Sequence, residues 1–289
     1  MTQLIHQLAQ WRDIRQQWQD SSQRIAFVPT MGNLHEGHFS LVKLAQQHAD
    51  KILVSIFVNP LQFGPNEDFD RYPRTLDADV QALSQLGVDV VFAPNVDEVY
   101  PERGSSSEGF LVLPPPKLTD ILCGESRPGH FTGVATIVLK LFNMIQPQLA
   151  VFGEKDYQQL AIIKAMVRAL NLPIKIISAP TCRAADGLAL SSRNQYLSTL
   201  ERQQAPAIYQ TLQTIGLGLH QGQSSEVLIE QAQQQLIRLG FNGIDYIAIR
   251  HPKSLEKLVQ LGREGAVVLI AARLGNTRLI DNLFVSTRQ

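Results

Sequence analysis

The chain has 289 residues with 44% hydrophobic and 18% charged side chains, a composition that indicates a globular protein with one large or two moderate cores. Lys plus Arg balances Asp plus Glu at 26 each, which argues against a large nucleic-acid-binding face. The two cysteines, Cys123 and Cys182, argue against a disulfide framework and a paired-cysteine zinc site. The N-terminus predicts an amphipathic helix around Trp11–Arg15 rather than a secretory signal, and no apolar run is long enough for a bilayer. We therefore expect a cytoplasmic protein with no nucleic-acid or membrane partner.

The first part of the chain alternates apolar strand patterns with helical patterns. Strands are predicted at 25–29, 51–58, 89–92, 149–152 and 174–179, and helices at 37–48, 75–86, 131–145 and 157–171. Because strands that alternate with helices are joined by right-handed crossovers, this order predicts an α/β fold with a parallel sheet. Ser105–Ser107 is predicted to form a short polar loop.

The pattern changes in the last third of the chain. The expected elements are helices within 199–240, with Ser225 as the N-cap of the second, a half-buried strand at 244–249, and strands at 266–274 and 277–284 joined in a hairpin at Gly275-Asn276. Helices beside an antiparallel sheet indicate a second, smaller α+β domain. We place the domains at 1–181 and 182–289.

Polar residues follow the predicted parallel strands, at the point where each strand ends. The segments are Met31–His38, Asn59–Phe63, Gly153–Asp156 and Thr181–Arg193. In an open parallel sheet, ligands bind beyond the carboxyl ends of the strands. We therefore expect these segments to form one binding site.

Two histidines, His35 and His38, stand where the first strand meets a predicted helix. Their spacing places both on one face of that helix, and Gly37 between them allows a close approach. Backbone N–H groups and the positive end of the helix dipole attract phosphate, and imidazoles donate hydrogen bonds where negative charge develops. The segment therefore predicts a nucleoside triphosphate site, with a helix cap carrying two surface histidines as the alternative. A His-Glu-x-x-His zinc site does not fit, because it requires histidines four residues apart.

Amides and a lysine follow two other strands. Asn59 and Gln62 offer groups suited to hydroxyls and carboxylates, or they form a turn around Pro60. Lys155 places a cation at the start of a helix, where the dipole disfavours positive charge, and therefore indicates a bound anion. The alternative is a glycine turn followed by acidic residues that complement the dipole.

Two further groups of polar residues can be interpreted either as ligand-binding groups or as ordinary structural elements. Ser191, Ser192 and Arg193 form either an anion clamp or an ordinary polar linker between domains. Arg127 and His130 form either a further basic pair or a loop with a helix cap. Neither a P-loop nor a Gly-x-Gly-x-x-Gly segment after a strand is present in the sequence, so ATP-hydrolase and dinucleotide-binding functions lack support.

Taken together, these segments closely resemble the pantothenate synthetase family, within the larger group of HxGH nucleotidyl-transferring α/β proteins. HxGH alone is weakly specific, whereas its combination with the other segments at these spacings is highly specific. The resemblance covers nearly the whole chain. It rests on Pro29-Thr-Met-Gly-Asn-Leu-His-Glu-Gly-His38, Phe57-Val-Asn-Pro-Leu-Gln-Phe63, Tyr72-Pro-Arg-Thr75, Gly153-Glu-Lys-Asp-Tyr-Gln-Gln159 and Asp186-Gly-Leu-Ala-Leu-Ser-Ser-Arg193.

The resemblance implies a ligase of pantothenate and coenzyme A biosynthesis that joins pantoate to β-alanine. ATP with Mg²⁺ is the implied co-substrate, and AMP and pyrophosphate are released through a pantoyl-adenylate intermediate. The implied fold is a Rossmann-like parallel sheet with helices on both faces, binding ATP and pantoate, followed by a smaller C-terminal α+β lid domain. A homodimer is also implied, and no protein ligand is assigned to the metal.

The family's site residues fall on matching positions of this sequence. His38 is the implied acid/base residue, with His35 and Lys155 as further catalytic groups. Gln62 and Gln159 are implied to hold pantoate, and Gln62 also to lie near β-alanine. Cys182 stands where a branched aliphatic residue is expected to contact adenine through its backbone. The implied ATP contacts are Met31, Gly32, Asn33, Leu34, His35, Glu36, Gly37, His38, Gly153, Glu154, Lys155, Asp156, Cys182, Leu190, Ser191, Ser192 and Arg193.

Three alternatives differ in observable ways. A nucleotidylyltransferase keeps the nucleotide on its product instead of releasing AMP as an amide forms. A tRNA synthetase shares the histidine motif but requires a basic RNA surface and an anticodon module. A non-catalytic nucleotide sensor binds ATP without pantoate-dependent exchange, and the joint presence of His38, Lys155 and Arg193 argues against it.

Overall fold

The structure is a computed structural model that describes residues 2–65, 67–101 and 109–287. Its strands and helices alternate as the sequence predicts. The chain divides into two compact units. The first comprises Met1–Pro115, Arg127–Glu154 and Gln159–Pro180, and the second comprises Pro116–Ser126, Lys155–Gln158 and Thr181–Gln289. The predicted division into 1–181 and 182–289 is continuous, whereas two short earlier segments group with the second unit. The predicted loop at Ser105–Ser107 lies outside the described residues.

The first part of the chain contains the parallel strands and the helices between them. In chain order the elements are β1 (Gln3–Ile5), α1 (Leu8–Asp20), β2 (Ile25–Thr30), α2 (Glu36–Gln46), β3 (Lys51–Ile56), α3 (Leu76–Gln85), β4 (Val90–Phe92), α4 (Val96–Val99), α5 (Pro116–Thr119), α6 (Cys123–Ser126), α7 (His130–Ile145), β5 (Leu149–Gly153), α8 (Tyr157–Ala169) and β6 (Lys175–Ala179). Short 3₁₀ turns follow β3 at Pro60–Gln62 and β5 at Glu154–Asp156.

Within the described residues, six strands form a parallel sheet in the order β1-β4-β3-β2-β5-β6. From β2 the chain adds β3 and β4 on one side, and then β5 and β6 on the other. The strand order therefore reverses between β2 and β5, which pair at Ala26–Leu149 and Phe27–Ala150. Ligands bind at such a switch point, outside the carboxyl ends of the strands. These ends are Thr30 of β2 and Gly153 of β5.

Helices cover both faces of this sheet, as the family resemblance implies. Successive side chains of a strand point to opposite faces. Ala26 and Val28 of β2 pack with Leu41 of α2 on one face. On the other face, Phe27 makes an edge-to-face contact with Phe142 of α7, with ring centroids 6.3 Å apart. Burial on both faces explains why the central strands have nearly continuous apolar sequences.

The second unit contains the antiparallel sheet. Its further elements are a 3₁₀ turn at Ser192–Tyr196, α9 (Thr199–Gln204), α10 (Ala207–His220), α11 (Ser225–Arg238), β7 (Gly243–Arg250), β8 (Ala266–Leu274) and β9 (Thr277–Val285). The strands pair in the order β7-β8-β9. Leu274 pairs with Thr277 across the predicted hairpin turn. Ile208 and Leu212 of α10 pack with Leu236 of α11 and Ile270 of β8 in one apolar core.

A short strand and a helix cap are among the features that the sequence did not predict correctly. Strand β1 was not predicted, because its three residues are too few to show an alternating pattern, and its parallel pairing with β4 defines it. The N-cap of α11 is Ser224, whose side chain accepts a hydrogen bond from Val227 N, and the predicted cap Ser225 is instead the first residue of the helix. Among the described residues, no helix has the length and apolar character that crossing a membrane requires.

Candidate active site

A buried carboxylate holds the loop between β2 and α2. Asp79 of α3 is 4% exposed, and it accepts hydrogen bonds from Asn33 N at 2.9 Å and Leu34 N at 2.8 Å. Thr75 Oγ1 donates to the same carboxylate at 3.0 Å. Gly32 has a φ of 82°, and a Cβ built there would lie 3.1 Å from Asp79 Oδ2. The bend therefore requires glycine, and Asp79 fixes the backbone that leads to the histidines.

Replacing Asp79 with asparagine is expected to lower the free energy of unfolding by about 1–3 kcal/mol. Both carboxylate oxygens accept backbone N–H groups, so an amide would direct its own NH₂ at one of these donors. Urea denaturation measures the change, with Asp77→Asn as the control because Asp77 lies exposed in the first turn of the same helix. Equal stability of the two variants would show that Asp79 does not hold the loop.

The two histidines both cap α2 and face each other. His35 is the N-cap, and its Nδ1 accepts a hydrogen bond from Gly37 N at 3.1 Å. His38 Nδ1 accepts one from His35 N at 3.3 Å. The ring centroids are 4.2 Å apart. Because each Nδ1 is an acceptor, the proton of each neutral ring lies on Nε2. Glu36 is the first residue of the helix, where an acidic side chain complements the dipole.

Capping of α2 by the two histidines is therefore compatible with a binding site at the same segment. The cap fixes the tautomer and orientation of both rings, and each ring then presents an Nε2–H donor near the positive end of α2. These donors lie at the carboxyl end of β2, one side of the topological switch point. The geometry suits donation to phosphate oxygens.

The turn after β3 is built around a buried asparagine. Asn59 is 1% exposed, and its Oδ1 accepts hydrogen bonds from Tyr100 OH at 2.8 Å and Leu61 N at 3.3 Å. Its Nδ2 donates to Gln62 Oε1 at 3.2 Å and to Gly133 O at 3.2 Å. Asn59 therefore stabilises the turn around Pro60, which is the structural role that the sequence offered as an alternative to ligand binding. The same bonds orient the side-chain amide of Gln62.

Helix α7 lies directly against this turn. A Cβ added to Gly133 of α7 would overlap Leu61 O and lie 2.7 Å from Gln62 N. Gly133 is therefore required for the close approach of the two backbones. The sequence pattern placed α7 correctly but gave no sign that one of its glycines positions Gln62.

Arg127 and His130 also support Gln62. Arg127 Nε and Nη2 donate to the two carboxylate oxygens of Glu67, both at 2.6 Å, and Nη1 lies 3.0 Å from His130 Nε2. His130 Nδ1 lies 2.8 Å from Gln62 O. Since Arg127 only donates, this His130 accepts at Nε2 and donates from Nδ1. Burial raises the pKa of Glu67, but the hydrogen bonds and charge of Arg127 outweigh burial and hold that pKa below its ordinary value. Arg127 and His130 thus hold the loop at Gln62, whereas the N-cap of α7 is Gly129 and neither side chain caps that helix.

The first unit brings together two of the predicted site segments. Gln62 Nε2 lies 2.9 Å from Met31 Sδ, which joins the turn after β3 to the loop after β2. Gly153 ends β5 and Glu154 follows it at the same edge of the sheet. Gln159 is a half-buried residue in the first turn of α8.

In the second unit, the predicted segment Thr181–Arg193 contains a short hairpin. Leu190 N donates to Cys182 O at 2.9 Å, and Arg183 and Ala189 form an antiparallel bridge. Cys182 is a partly exposed free thiol. After the hairpin, Ser191 Oγ accepts a hydrogen bond from Arg193 N at 3.3 Å. The cap uses an oxygen lone pair of Ser191, so its hydroxyl proton can still be donated. Ser192 is the first residue of the following 3₁₀ turn.

The turn that contains Lys155 is fixed through its backbone. Asn282 Nδ2 donates to Lys155 O at 2.9 Å, and Asp156 is the exposed last residue of the same turn. Gln158, next to the predicted Gln159, is 4% exposed. Its amide bonds to Leu118 O at 2.9 Å and Ile121 O at 2.8 Å, which explains why the segment 116–126 groups with Lys155–Gln158.

No group of three or more histidine, cysteine, aspartate or glutamate side chains with a metal-binding arrangement occurs in the part of the chain that the structure describes.

Comparisons with known proteins find relatives that match nearly the whole chain. A sequence model of the family described as pantoate-beta-alanine ligase matches residues 3–284. A pantothenate synthetase of Pseudomonas putida is 59% identical over 263 residues, which cover 91% of this chain and 90% of the relative. A pantothenate synthetase of Hydrogenovibrio crunogenus is 50% identical over 276 residues, covering 95% and 96%.

Solved structures are similar along nearly the whole chain. The crystal structure of a pantothenate synthetase from Thermus thermophilus has a TM-score of 0.90 and 43% identity, and the match covers 98% of this chain and 99% of that one. A pantoate-beta-alanine ligase from Francisella tularensis, crystallised as a complex with beta-gamma ATP and beta-alanine, has a TM-score of 0.82 and 36% identity, with 98% of each chain covered. The parallel sheet and the small antiparallel sheet are shared architecture.

Proposed function

The chain belongs to the pantoate–β-alanine ligase family, and from this premise we propose that it works in two steps through a pantoyl-adenylate intermediate. It is a ligase that forms the amide bond of pantothenate. In the proposed route, ATP activates the carboxylate of pantoate, and β-alanine then displaces AMP. Activation is necessary because a carboxylate resists attack by an amine while its oxygen remains a poor leaving group.

One observation carries the proposal. The Nε2–H groups of His35 and His38, at the N-terminus of α2, share an edge of the parallel sheet with the amide of Gln62, which contacts Met31 at 2.9 Å. This edge adjoins the switch point between β2 and β5, where ligands of such sheets bind. Two imidazole donors and a side-chain amide therefore lie at the same edge in the first unit, which supports binding of phosphate and carboxylate there.

In the first proposed step, a carboxylate oxygen of pantoate attacks the α-phosphorus of ATP. The P–O bond to the β-phosphate breaks, and pyrophosphate leaves with that electron pair. Negative charge grows on the phosphate oxygens as this happens. His35, His38 and the N–H groups at the start of α2 donate hydrogen bonds to it, and a well-placed donor of this kind is typically worth about 10²–10³ in rate.

In the second step, the amine of β-alanine attacks the acyl carbon of the adenylate. The C–O bond to AMP breaks, the amide forms, and the nitrogen releases a proton. The protein contributes by holding the two reactants side by side. We assign pantoate to Gln62 and Gln159, and β-alanine to the neighbourhood of Gln62.

We propose the ATP contacts that the family resemblance implies, which are Met31–His38, Gly153–Asp156, Cys182 and Leu190–Arg193. Mg²⁺ accompanies the triphosphate, because this ion keeps several waters and binds substrate phosphates. Free thiols at both cysteines suit the reducing cytoplasm, which we propose as its location.

An omission assay tests this function. ATP, pantoate and β-alanine are incubated with the enzyme and Mg²⁺, and AMP and pantothenate are followed while each acceptor is left out in turn. We expect equal amounts of AMP and pantothenate with all three substrates, and almost no AMP when pantoate is absent. Turnover to AMP with β-alanine alone would contradict the proposal.

Replacing Gln62 with alanine is expected to raise the KM for pantoate by about 10- to 100-fold, because a hydrogen bond to a charged group is lost. The KM for ATP should change much less. Steady-state kinetics at saturating ATP measures this, with Gln81→Ala as the control since Gln81 is exposed on α3. An unchanged KM and kcat for pantoate would remove Gln62 from its proposed role.

We also propose that the protein forms a homodimer through residues 110–113. Val112 N donates to Thr136 Oγ1 at 2.9 Å, so this segment is attached to α7. Phe110 is nonetheless 96% exposed and Leu113 76% exposed. Large apolar side chains grouped at the surface indicate a protein–protein contact.

Sedimentation velocity tests the dimer. The wild-type protein should sediment at twice the 32.2 kDa of one chain, and Phe110→Asp/Leu113→Asp should sediment as a monomer because two carboxylates cannot be buried unpaired. Leu217→Asp is the control, since Leu217 is 64% exposed on α10. A double variant that remains dimeric would place the interface elsewhere.

A further inference from the structure

A buried ion pair lies in the second unit, outside the residues assigned so far. Arg183 Nη1 and Nη2 donate to the two oxygens of Asp281, at 2.5 and 2.9 Å. The side chains are 17% and 3% exposed. The guanidinium carbon lies 3.7 Å from the ring centroid of Tyr209. A two-bond, stacked arginine fixes orientation more strictly than a single-point contact.

On one side, the pair holds the hairpin that precedes Leu190–Arg193. Arg183 lies within this hairpin, and its Nη1 also donates to Gly187 O at 3.1 Å, at the turn. Gly187 has a φ of 93°, and a Cβ there would lie 2.7 Å from the ring of Tyr209. The path of the hairpin is therefore set by Arg183 and its aromatic neighbour.

On the other side, the pair reaches the turn that contains Lys155. Asn282 N donates to Asp281 Oδ1 at 2.7 Å, and Asn282 O accepts from Arg183 Nη2 at 3.2 Å. Asn282 Nδ2 then donates to Lys155 O at 2.9 Å. An unbroken series of hydrogen bonds thus joins Arg183, Asp281, Asn282 and the backbone of Lys155.

Stability alone is a weak explanation for this network. Burial of an ion pair costs desolvation that its attraction often only balances, and well-packed apolar residues frequently stabilise a protein as well. Burial raises the pKa of Asp281, against the opposing effect of its hydrogen bonds to Arg183. A buried network that is fully hydrogen-bonded instead fixes the relative positions of the segments it connects.

We propose that Arg183, Asp281 and Asn282 are positioning residues for ATP, which hold Lys155 and the segment Leu190–Arg193 in the relative geometry that binds the nucleotide. None of the three needs to touch the substrate. The inference rests on the ATP contacts assigned to these two segments under the proposed function. It adds Arg183, Asp281 and Asn282 as the residues that hold these two segments in place relative to each other.

The sharpest test is Asn282→Ala, which removes the bond to Lys155 O and leaves the ion pair in place. Loss of one hydrogen bond should raise the KM for ATP by about 3- to 10-fold, while the KM for pantoate stays unchanged. Asn242→Ala is the matched control, because Asn242 Nδ2 donates to Gly275 O at 3.1 Å at the β8–β9 turn. Melting temperatures of both variants are recorded alongside.

Two further variants separate positioning from a general effect on folding. Arg183→Lys keeps the charge but loses the two-bond geometry, and it should raise the KM for ATP at least about 10-fold. In a Lys155→Met background, Asn282→Ala should have little further effect on the KM for ATP, since the group it positions is gone. A purely structural residue would lower stability and activity equally in both backgrounds.

The outcomes distinguish this inference from the proposed function. Wild-type enzyme that releases no AMP in the presence of pantoate contradicts the proposed function itself. Active wild-type enzyme together with an unchanged KM for ATP in Asn282→Ala and Arg183→Lys overturns the positioning role. Should Arg183→Lys fail to fold, Asn282→Ala with its Asn242→Ala control decides the question.

Discussion

Substitution of His38 by alanine is expected to lower pantoate-dependent exchange of pyrophosphate into ATP by about 10²–10³-fold. The exchange reports the first step alone, because it needs no β-alanine. The Nε2–H of His38 is one of the two imidazole donors fixed beside the N-terminus of α2, and alanine leaves the developing phosphate charge without it. Exchange at near wild-type rates would remove His38 from the adenylation step.

Two companion variants separate this role from the helix cap. His38 Nδ1 accepts from His35 N, so alanine should also cost about 1 kcal/mol of stability. His38→Gln restores a side chain that suits the third helical position of a capping box, and it should recover stability without recovering exchange. His48→Ala is the control, because His48 is exposed just beyond the end of α2.

Substitution of Lys155 by methionine is expected to reduce the rate of adenylate formation by about 10²–10³-fold. The ammonium is assigned to the phosphates, and methionine removes its charge while keeping a similar length. Rapid-quench measurement of AMP formation at saturating pantoate detects the loss. Lys164→Met is the control, because Lys164 is exposed on α8 and bonds to Ser178 Oγ.

Stability gives a second readout for Lys155. The residue precedes α8, where the helix dipole disfavours a cation by about 0.3–1 kcal/mol. The charge of Lys155 also attracts the buried carboxylate of Asp281, which opposes the dipole effect, so without ATP Lys155→Met should change the free energy of unfolding by less than about 1 kcal/mol. A large loss of stability in the unliganded variant, together with unchanged AMP formation, would make Lys155 a structural residue.

Hydrophobic periodicity was sufficient to predict most of the fold. Strands β2 and β3 are buried on both faces, so their apolar runs are unambiguous, and α7 is bounded by Gly129 and Gln146 in left-handed conformations. Periodicity does not detect short elements such as β1, which is defined only by its pairing with β4. The cap at Ser224 was missed because two adjacent serines offer the same chemistry, and only the backbone decides between them.

The residues that support the site were hardest to predict, because each acts over a long separation in the sequence. Asp79 holds Asn33 and Leu34 from 46 and 45 residues away. Gly133 positions Gln62 through a contact between backbones, which no residue pattern records. Motifs identify the groups that would meet a substrate, whereas their supports emerge from the packing of distant elements.

The central claim is that the pantoate carboxylate attacks the α-phosphorus of ATP. Pantoate labelled with ¹⁸O in both carboxylate oxygens tests it directly when AMP and pantothenate are analysed by mass spectrometry after turnover. The account predicts one ¹⁸O atom in each AMP and one in the new amide of each pantothenate. Label in inorganic phosphate or pyrophosphate, with none in AMP, would contradict it.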